Sequence, residues 1–147
     1  MCALLITPLA SLVDNVQLKS IAISIGVYFQ VQDDYLDCYG DIKQTGKIGT
    51  DIQEQKCSWL VVQAVKLLKN DPVKLTLLKD NYGFDDPDKV QCVKNIYQEL
   101  NLQNVYQEYE QKTYEEILQR INQADFNSKD LQQLLIQILD SIHARSK

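Results

Sequence analysis

Leu18, Ile21, Ile25, Tyr28, Phe29, Val31 and Leu36 recur at mixed spacings of three and four, which predicts one long helix over 15–39. So wide an apolar surface predicts a buried helix. Residues 40–50 then hold three of the five glycines in the chain, which breaks the helical period and marks a loop. Thr50 or Asp51 can cap a second helix running to about residue 69. Asp71-Pro72 and Asp86-Pro87 each pair a capping aspartate with a proline suited to the first helical position, predicting helices over 72–81 and 87–99. Asn101 to Asn104 separates these from a helix over 104–123, whose apolar face is Val105, Tyr109, Tyr114, Ile117, Leu118 and Ile121. Asn127 or Ser128 caps a last helix carrying Leu131, Leu134, Leu135, Ile138, Leu139 and Ile142. No segment alternates with the period of a strand, so the expected fold is all-α, with six or seven helices in one domain over 1–147.

Composition narrows the function classes. The 147 residues are 45% hydrophobic and 24% charged, with net charge -5, a globular composition lacking the clustered basic face that nucleic acid requires. Cys2, Cys38, Cys57 and Cys92 form no CxxC pair, and the apolar start lacks a basic n-region and meets Pro8 early, so no secretory signal is read. Reduced, buried thiols and a cytoplasmic chain are expected. The apolar run over 21–29 is too short to span a membrane. Trp59 and the eight tyrosines are expected in cores or interfaces, His143 as a solvated last-turn residue, and the glutamine-rich 98–123 face as solvated surface.

The candidate chemistry lies at the end of the first helix. At about 100° per residue, Asp37 falls about 40°, Gln30 about 60°, Asp41 about 80° and Asp34 about 100° from Asp33. Crowded carboxylates resist joint ionisation, and hard oxygen ligands of this kind suit magnesium. Lys47 follows in the glycine-rich loop, and Lys56 is expected one and a half turns into the second helix. Carboxylates with magnesium on one wall and ammonium groups on another are what a diphosphate requires. The loop is no nucleotide-binding P-loop, because Ile48 stands where serine or threonine should follow the lysine. The Asp85-Asp86-Pro87-Asp88 cluster is read as a helix cap, since its proline marks a helix start.

The segments FQVQDDYLD (29–37), Gly40-Asp41, TGKIGTDIQ (45–53) and KCSWLVVQA (56–64) closely resemble the second aspartate-rich region of eukaryotic farnesyl diphosphate synthases. Asn81-Tyr82-Gly83, the 90–100 segment, 106–114 and the closing 142–147 are similar to the rest of that family's C-terminal half. The resemblance implies the C-terminal portion of the isoprenoid synthase helical fold. It also implies a magnesium-dependent prenyltransferase of isoprenoid biosynthesis, condensing an allylic diphosphate with isopentenyl diphosphate. Carried over by position, Asp33, Asp34 and Asp37 would hold magnesium, with Asp41 and Asp51 in support. Lys47 and Lys56 would bind the allylic diphosphate, Gln30 would stand near the reacting carbons, and Phe29 would orient the homoallylic substrate. Arg145 and Lys147 would close over the site.

A member of that family is normally more than twice this length, and its N-terminal half carries the first DDxxD and the isopentenyl diphosphate clamp. Neither occurs in these 147 residues, so the chain alone is expected to be inactive. An uncovered inner apolar face is expected to drive homo-oligomerisation or pairing with an N-terminal half. The alternative is a non-catalytic helical module or gene-model fragment that retains a partial magnesium-diphosphate site.

Overall fold

In the computed structural model, which describes residues 16–41, 46, 49–126 and 128–146, the apolar period that begins at Leu18 forms α1, Val16–Tyr39. Five further α-helices follow: α2 Trp59–Leu67, α3 Pro72–Asn81, α4 Pro87–Glu99, α5 Leu102–Gln123 and α6 Lys129–His143. Single 3-10 turns extend α2 over Leu68–Asn70 and α6 over Ala144–Ser146. There is no strand among the described residues.

The expected caps are present and explain where the helices start. Asp71 accepts the Lys74 backbone N–H at 3.0 Å ahead of Pro72. Asp86 accepts from Asp88 and Lys89 at 2.9 and 3.4 Å ahead of Pro87. Ser128, the closer of the two candidates to α6, accepts from Leu131 at 3.3 Å. The α5 helix starts two residues earlier than its polar pattern indicated. Asn101 takes a left-handed φ of 52°, a conformation asparagine tolerates, and this turn delivers Leu102 into the core fully buried.

The second helix is where the expectation fails. Residues 51–55 make one hydrogen-bonded turn, with Glu54 N–H on the Thr50 carbonyl and Lys56 N–H on the Asp51 carbonyl. Gln55 then adopts φ 55°, and the helix restarts only at Trp59. The break is fixed from a distance: Gly83 donates to the Ile52 carbonyl at 2.9 Å. A Cβ on Gly83 would sit 2.9 Å from the Gln55 Cβ, so only glycine fits against this turn.

The described residues divide into two compact units, one from Gln30 to Tyr109 and the other comprising those up to Phe29 and from Glu110 onward. The first has a core of Ile52, Leu60, Ala64, Leu68, Leu78, Val93, Ile96, Tyr97 and Leu102. Aromatic rings continue it: Tyr35 stacks on Tyr106 at 3.8 Å, and Trp59 meets Tyr106 edge-on at 5.9 Å. In the other unit, Ile21, Ile25 and Tyr28 of α1, Ile117 and Ile121 of α5, and Leu135, Leu139 and Ile142 of α6 are buried. Arg120 spans two turns of α1, donating to the Ser20 and Ser24 hydroxyls at 2.8 and 2.7 Å.

Two further expectations are corrected. The α1 helix is buried on one side only, with Ile23 and Val27 exposed, as are Leu134 and Ile138 of α6, leaving uncovered apolar surface on both helices. Among the described residues the thiols are not buried as a group: Cys57 is exposed and Cys38 and Cys92 are half-buried, since Cys57 falls in the extended stretch before α2 rather than inside a helix, and Cys2 lies outside the described residues. Among the described residues no helix is long and apolar enough to cross a membrane.

Asp86→Ala removes two N-cap bonds and is expected to lower stability by about 1 kcal/mol. Urea unfolding followed by far-UV circular dichroism measures it, and an unchanged midpoint would show that Pro87 alone sets the helix start.

Candidate functional site

The C-terminal turns of α1 carry Gln30, Asp33, Asp34 and Asp37, and Asp41 follows the helix; Asp33, Asp34 and Asp37 are half-buried. Two of these carboxylates hold backbone. Asp34 Oδ2 accepts the N–H of Trp59, the first residue of α2, at 2.7 Å, and its Oδ1 accepts from the Gln30 amide at 3.0 Å. A carboxylate at a helix N-terminus satisfies an unbonded N–H and meets the positive end of the helix dipole. Asp37 accepts the Thr50 N–H at 3.3 Å and the Asp51 N–H at 2.9 Å, one on each oxygen. Gly49 makes that approach feasible, since a side chain there would collide with the Asp37 carbonyl.

The held loop presents a second group of charges. Lys56 Nζ lies 2.8 Å from Asp51 and 3.2 Å from Glu54, while Tyr82 donates its hydroxyl to the Lys56 carbonyl at 2.8 Å. The Lys56 ammonium is held charged well above the usual lysine range by hydrogen bonds to Asp51 and Glu54. Asp51 is nevertheless pushed up from 3.8, chiefly by burial, with Asp37 and Asp34 adding repulsion that the Lys56 hydrogen bond only partly offsets. Burial raises the neighbouring Cys38 thiol to about 11, so it stays protonated and contributes no anion.

Among the described residues, no three His, Cys, Asp or Glu side chains converge as a ready metal cage. The donor type still fits a hard divalent cation, because every acid is a carboxylate and each has about four lone-pair positions, of which a backbone N–H uses one. Such an ion would find part of its coordination shell here, with water completing it.

The other unit holds the remaining candidates. The Arg145 guanidinium lies over the Phe29 ring at 4.7 Å, a cation-π contact that brings two of the expected site residues together. His143 is not the solvated residue expected. Its ring stacks on Tyr114 at 4.3 Å and its Nδ1 lies 2.9 Å from the hydroxyl of buried Tyr28. Lys47 and Lys147 fall outside the described residues.

The helical pattern of the sequence expects Lys56 inside a helix and carries no sign that Asp34 and Asp37 anchor backbone. The available signal was Ser58, a good N-cap residue whose side chain makes no capping bond here, so the α2 start was open to an acceptor from elsewhere.

Asp34→Ala is expected to destabilise the metal-free chain by about 1–2 kcal/mol, whereas Asp34→Asn, which keeps an acceptor, recovers most of the loss. Urea unfolding in the presence of a chelator distinguishes the two, and equal losses would remove Asp34 from the role of α2 anchor. A carbon-detected NMR titration is expected to place the Asp51 carboxyl above 3.8, and Lys56→Met to move it higher, since the ammonium lowers it. Because the folded value exceeds the unfolded one, Asp51 costs stability when charged, and that cost is relieved as the pH falls through the folded value. A Lys56→Met shift downward would contradict the assigned pairing.

Residues 1–100 match the family model described as Polyprenyl synthetase. Farnesyl pyrophosphate synthase 1 of Cannabis sativa is 47% identical over 146 residues, covering 99% of this chain and 42% of the relative. A mitochondrial farnesyl pyrophosphate synthase 1 of Arabidopsis thaliana is 44% identical over 146 residues, covering 99% and 37%. Among solved structures, a farnesyl diphosphate synthase of T. brucei in complex with a bisphosphonate superposes with a TM-score of 0.82 at 35% identity, covering 91% of this chain and 45% of that one. The chain thus spans less than half the length of these relatives. With a family match over two thirds of its residues and a helical fold shared with solved members, the chain belongs to the polyprenyl synthetase family.

Proposed function

We propose that the segment from Gln30 to Lys56 is the magnesium-diphosphate wall of a prenyl-transferring site of the farnesyl diphosphate synthase type. The observation that carries this reading is the double anchoring of Asp34 and Asp37 to the loop that bears Asp51 and Lys56. It fixes several carboxylates and an ammonium in one rigid unit, which is the charge arrangement a metal-bound diphosphate needs. The names of the relatives support the same substrate class.

Asp33, Asp34 and Asp37 would hold magnesium, with waters completing the shell. The ion, when bound, neutralises diphosphate oxygens and stabilises the departing group. Lys56, and Lys47 by position, neutralise the remaining diphosphate charge. Asp51 orients Lys56, and Gln30 is held by Asp34. In the condensation, the C–O bond of the allylic diphosphate breaks to release inorganic diphosphate, a C–C bond forms to the double bond of isopentenyl diphosphate, and the resulting cation loses a proton to restore a double bond. Phe29, under Arg145, is assigned to orienting the homoallylic substrate, and Lys147 belongs with Arg145 to site closure. The cytoplasmic setting and an association of this chain with itself or with an N-terminal half belong to the same proposal.

A second reading, a helical module without catalysis, is favoured by one observation: the acids are engaged in holding backbone and do not converge.

Calorimetric titration of geranyl diphosphate into the 147-residue polypeptide is expected to show magnesium-dependent binding, weakened about tenfold by Asp33→Ala and by Lys56→Ala. Equal affinity in both variants and the parent would exclude the acidic wall as a working site. No prenyl product is expected from this polypeptide alone, because these residues include one aspartate-rich motif and no second substrate clamp. Product formation with magnesium and both diphosphates would overturn that expectation.

A further inference from the structure

A separate cavity of about 320 Å³, broadly open to solvent, lies in the Gln30–Tyr109 unit and is lined by residues of the Lys56 turn, α2 and α3. That size is within the range of small-ligand sites. Its wall is branched aliphatic, from Val61 and Val65 of α2 and Leu75 and Leu78 of α3. Leu78 is buried, Val65 is 46% exposed on the solvent side, and Gln55 and Lys79 are exposed. The remaining lining residues are Gln55, Tyr82 and Lys79, the last in the final turn of α3. No carboxylate of the described residues pairs with Lys79. The nearest acid in sequence to Gln55, Glu54, is engaged by Lys56 at 3.2 Å.

We propose that this cavity binds a small amphiphilic monoanion, specifically a medium-chain aliphatic carboxylate of about eight to ten carbons. The aliphatic wall takes the chain, and Lys79 with the Gln55 amide takes the carboxylate. One lysine balances one negative charge, which excludes a diphosphate carrying two or three, and a wall with a single aromatic ring offers no stacking slot for a flat aromatic ligand.

The site bears on the acidic wall through its lining. Gln55 is the left-handed residue of the 51–55 turn, and Tyr82 holds the Lys56 carbonyl. An occupant resting on both residues stiffens the turn that presents Asp51 and Lys56. The binding itself does not depend on the prenyl-transfer reading, and its test involves no catalysis.

Decanoate, kept below its micelle concentration, is titrated into the full polypeptide by calorimetry, with amide hydrogen exchange followed over 53–58. The expected result is saturable one-to-one binding, weakened about tenfold by Lys79→Met and unchanged by Lys66→Met, an exposed lysine outside the cavity. Exchange over 53–58 slows on binding, and Val65→Trp, which adds bulk on the solvent side of the cavity, abolishes binding. Decanol is expected to bind the parent and Lys79→Met equally. Absence of saturable binding overturns the proposal, as do equal losses in the two lysine variants. Should Val65→Trp fail to fold by circular dichroism, the comparison of Lys79→Met with Lys66→Met decides alone.

Discussion

The acidic end of α1 is held by carboxylate-to-amide bonds, and the geometry around the candidate site depends on them. Asp34 and Asp37 accept three backbone N–H groups, those of Trp59, Thr50 and Asp51. Hydrogen bonds to a charged acceptor contribute about 1.5–3 kcal/mol each, enough to offset the repulsion of like charges a turn apart, which costs a few tenths of a kcal/mol. Through them α1 determines where α2 starts, where the loop returns and, through Asp51, where Lys56 points. Gly49 and Gly83 are the steric conditions for that docking, because a side chain at either would strike Asp37 or Gln55.

Holding backbone and holding a cation do not exclude each other for these acids. A carboxylate fixed by an N–H has lost its rotamer freedom, and its remaining lone pairs keep a defined direction. The ordering cost is then met at folding rather than at ligand binding, which is the condition for tight electrostatic recognition. The raised Asp51 value points the same way: burial and the neighbouring Asp37 and Asp34 leave excess negative potential that one ammonium does not cancel.

Local chemistry was legible in the sequence where the cause lies within a few residues. Asp71-Pro72 and Asp86-Pro87 announced α3 and α4 because cap and proline act on the very next turn, and the period of α1 gave its length. The 51–58 stretch was not legible. Its helical pattern is intact, but Gly83, about thirty residues on, pins Gln55 out of helix, and Asp34 supplies the cap that allows a restart at Trp59. The setting of His143 is not legible in the sequence for the same reason, since its partner Tyr28 lies 115 positions away. The acidic strip itself was legible as chemistry, whereas its structural employment was not, because an acceptor role depends on which amides the fold brings to it.

Charge also constrains the order of events at such a wall. Between residues 33 and 56 the sequence carries six acids against three lysines, and Lys56 already serves two of the acids. On the proposed function, a diphosphate approaching without a cation would meet net negative charge and would have to draw Lys56 from Asp51 and Glu54. A divalent cation held by these carboxylates would be attracted on approach, and its charge would favour the ionised form of Asp51 that pairs with Lys56. On the proposed function, cation binding would therefore precede or accompany the diphosphate, and Lys56 would add a contact to the ligand while keeping Asp51 and releasing Glu54, the more exposed of its two partners.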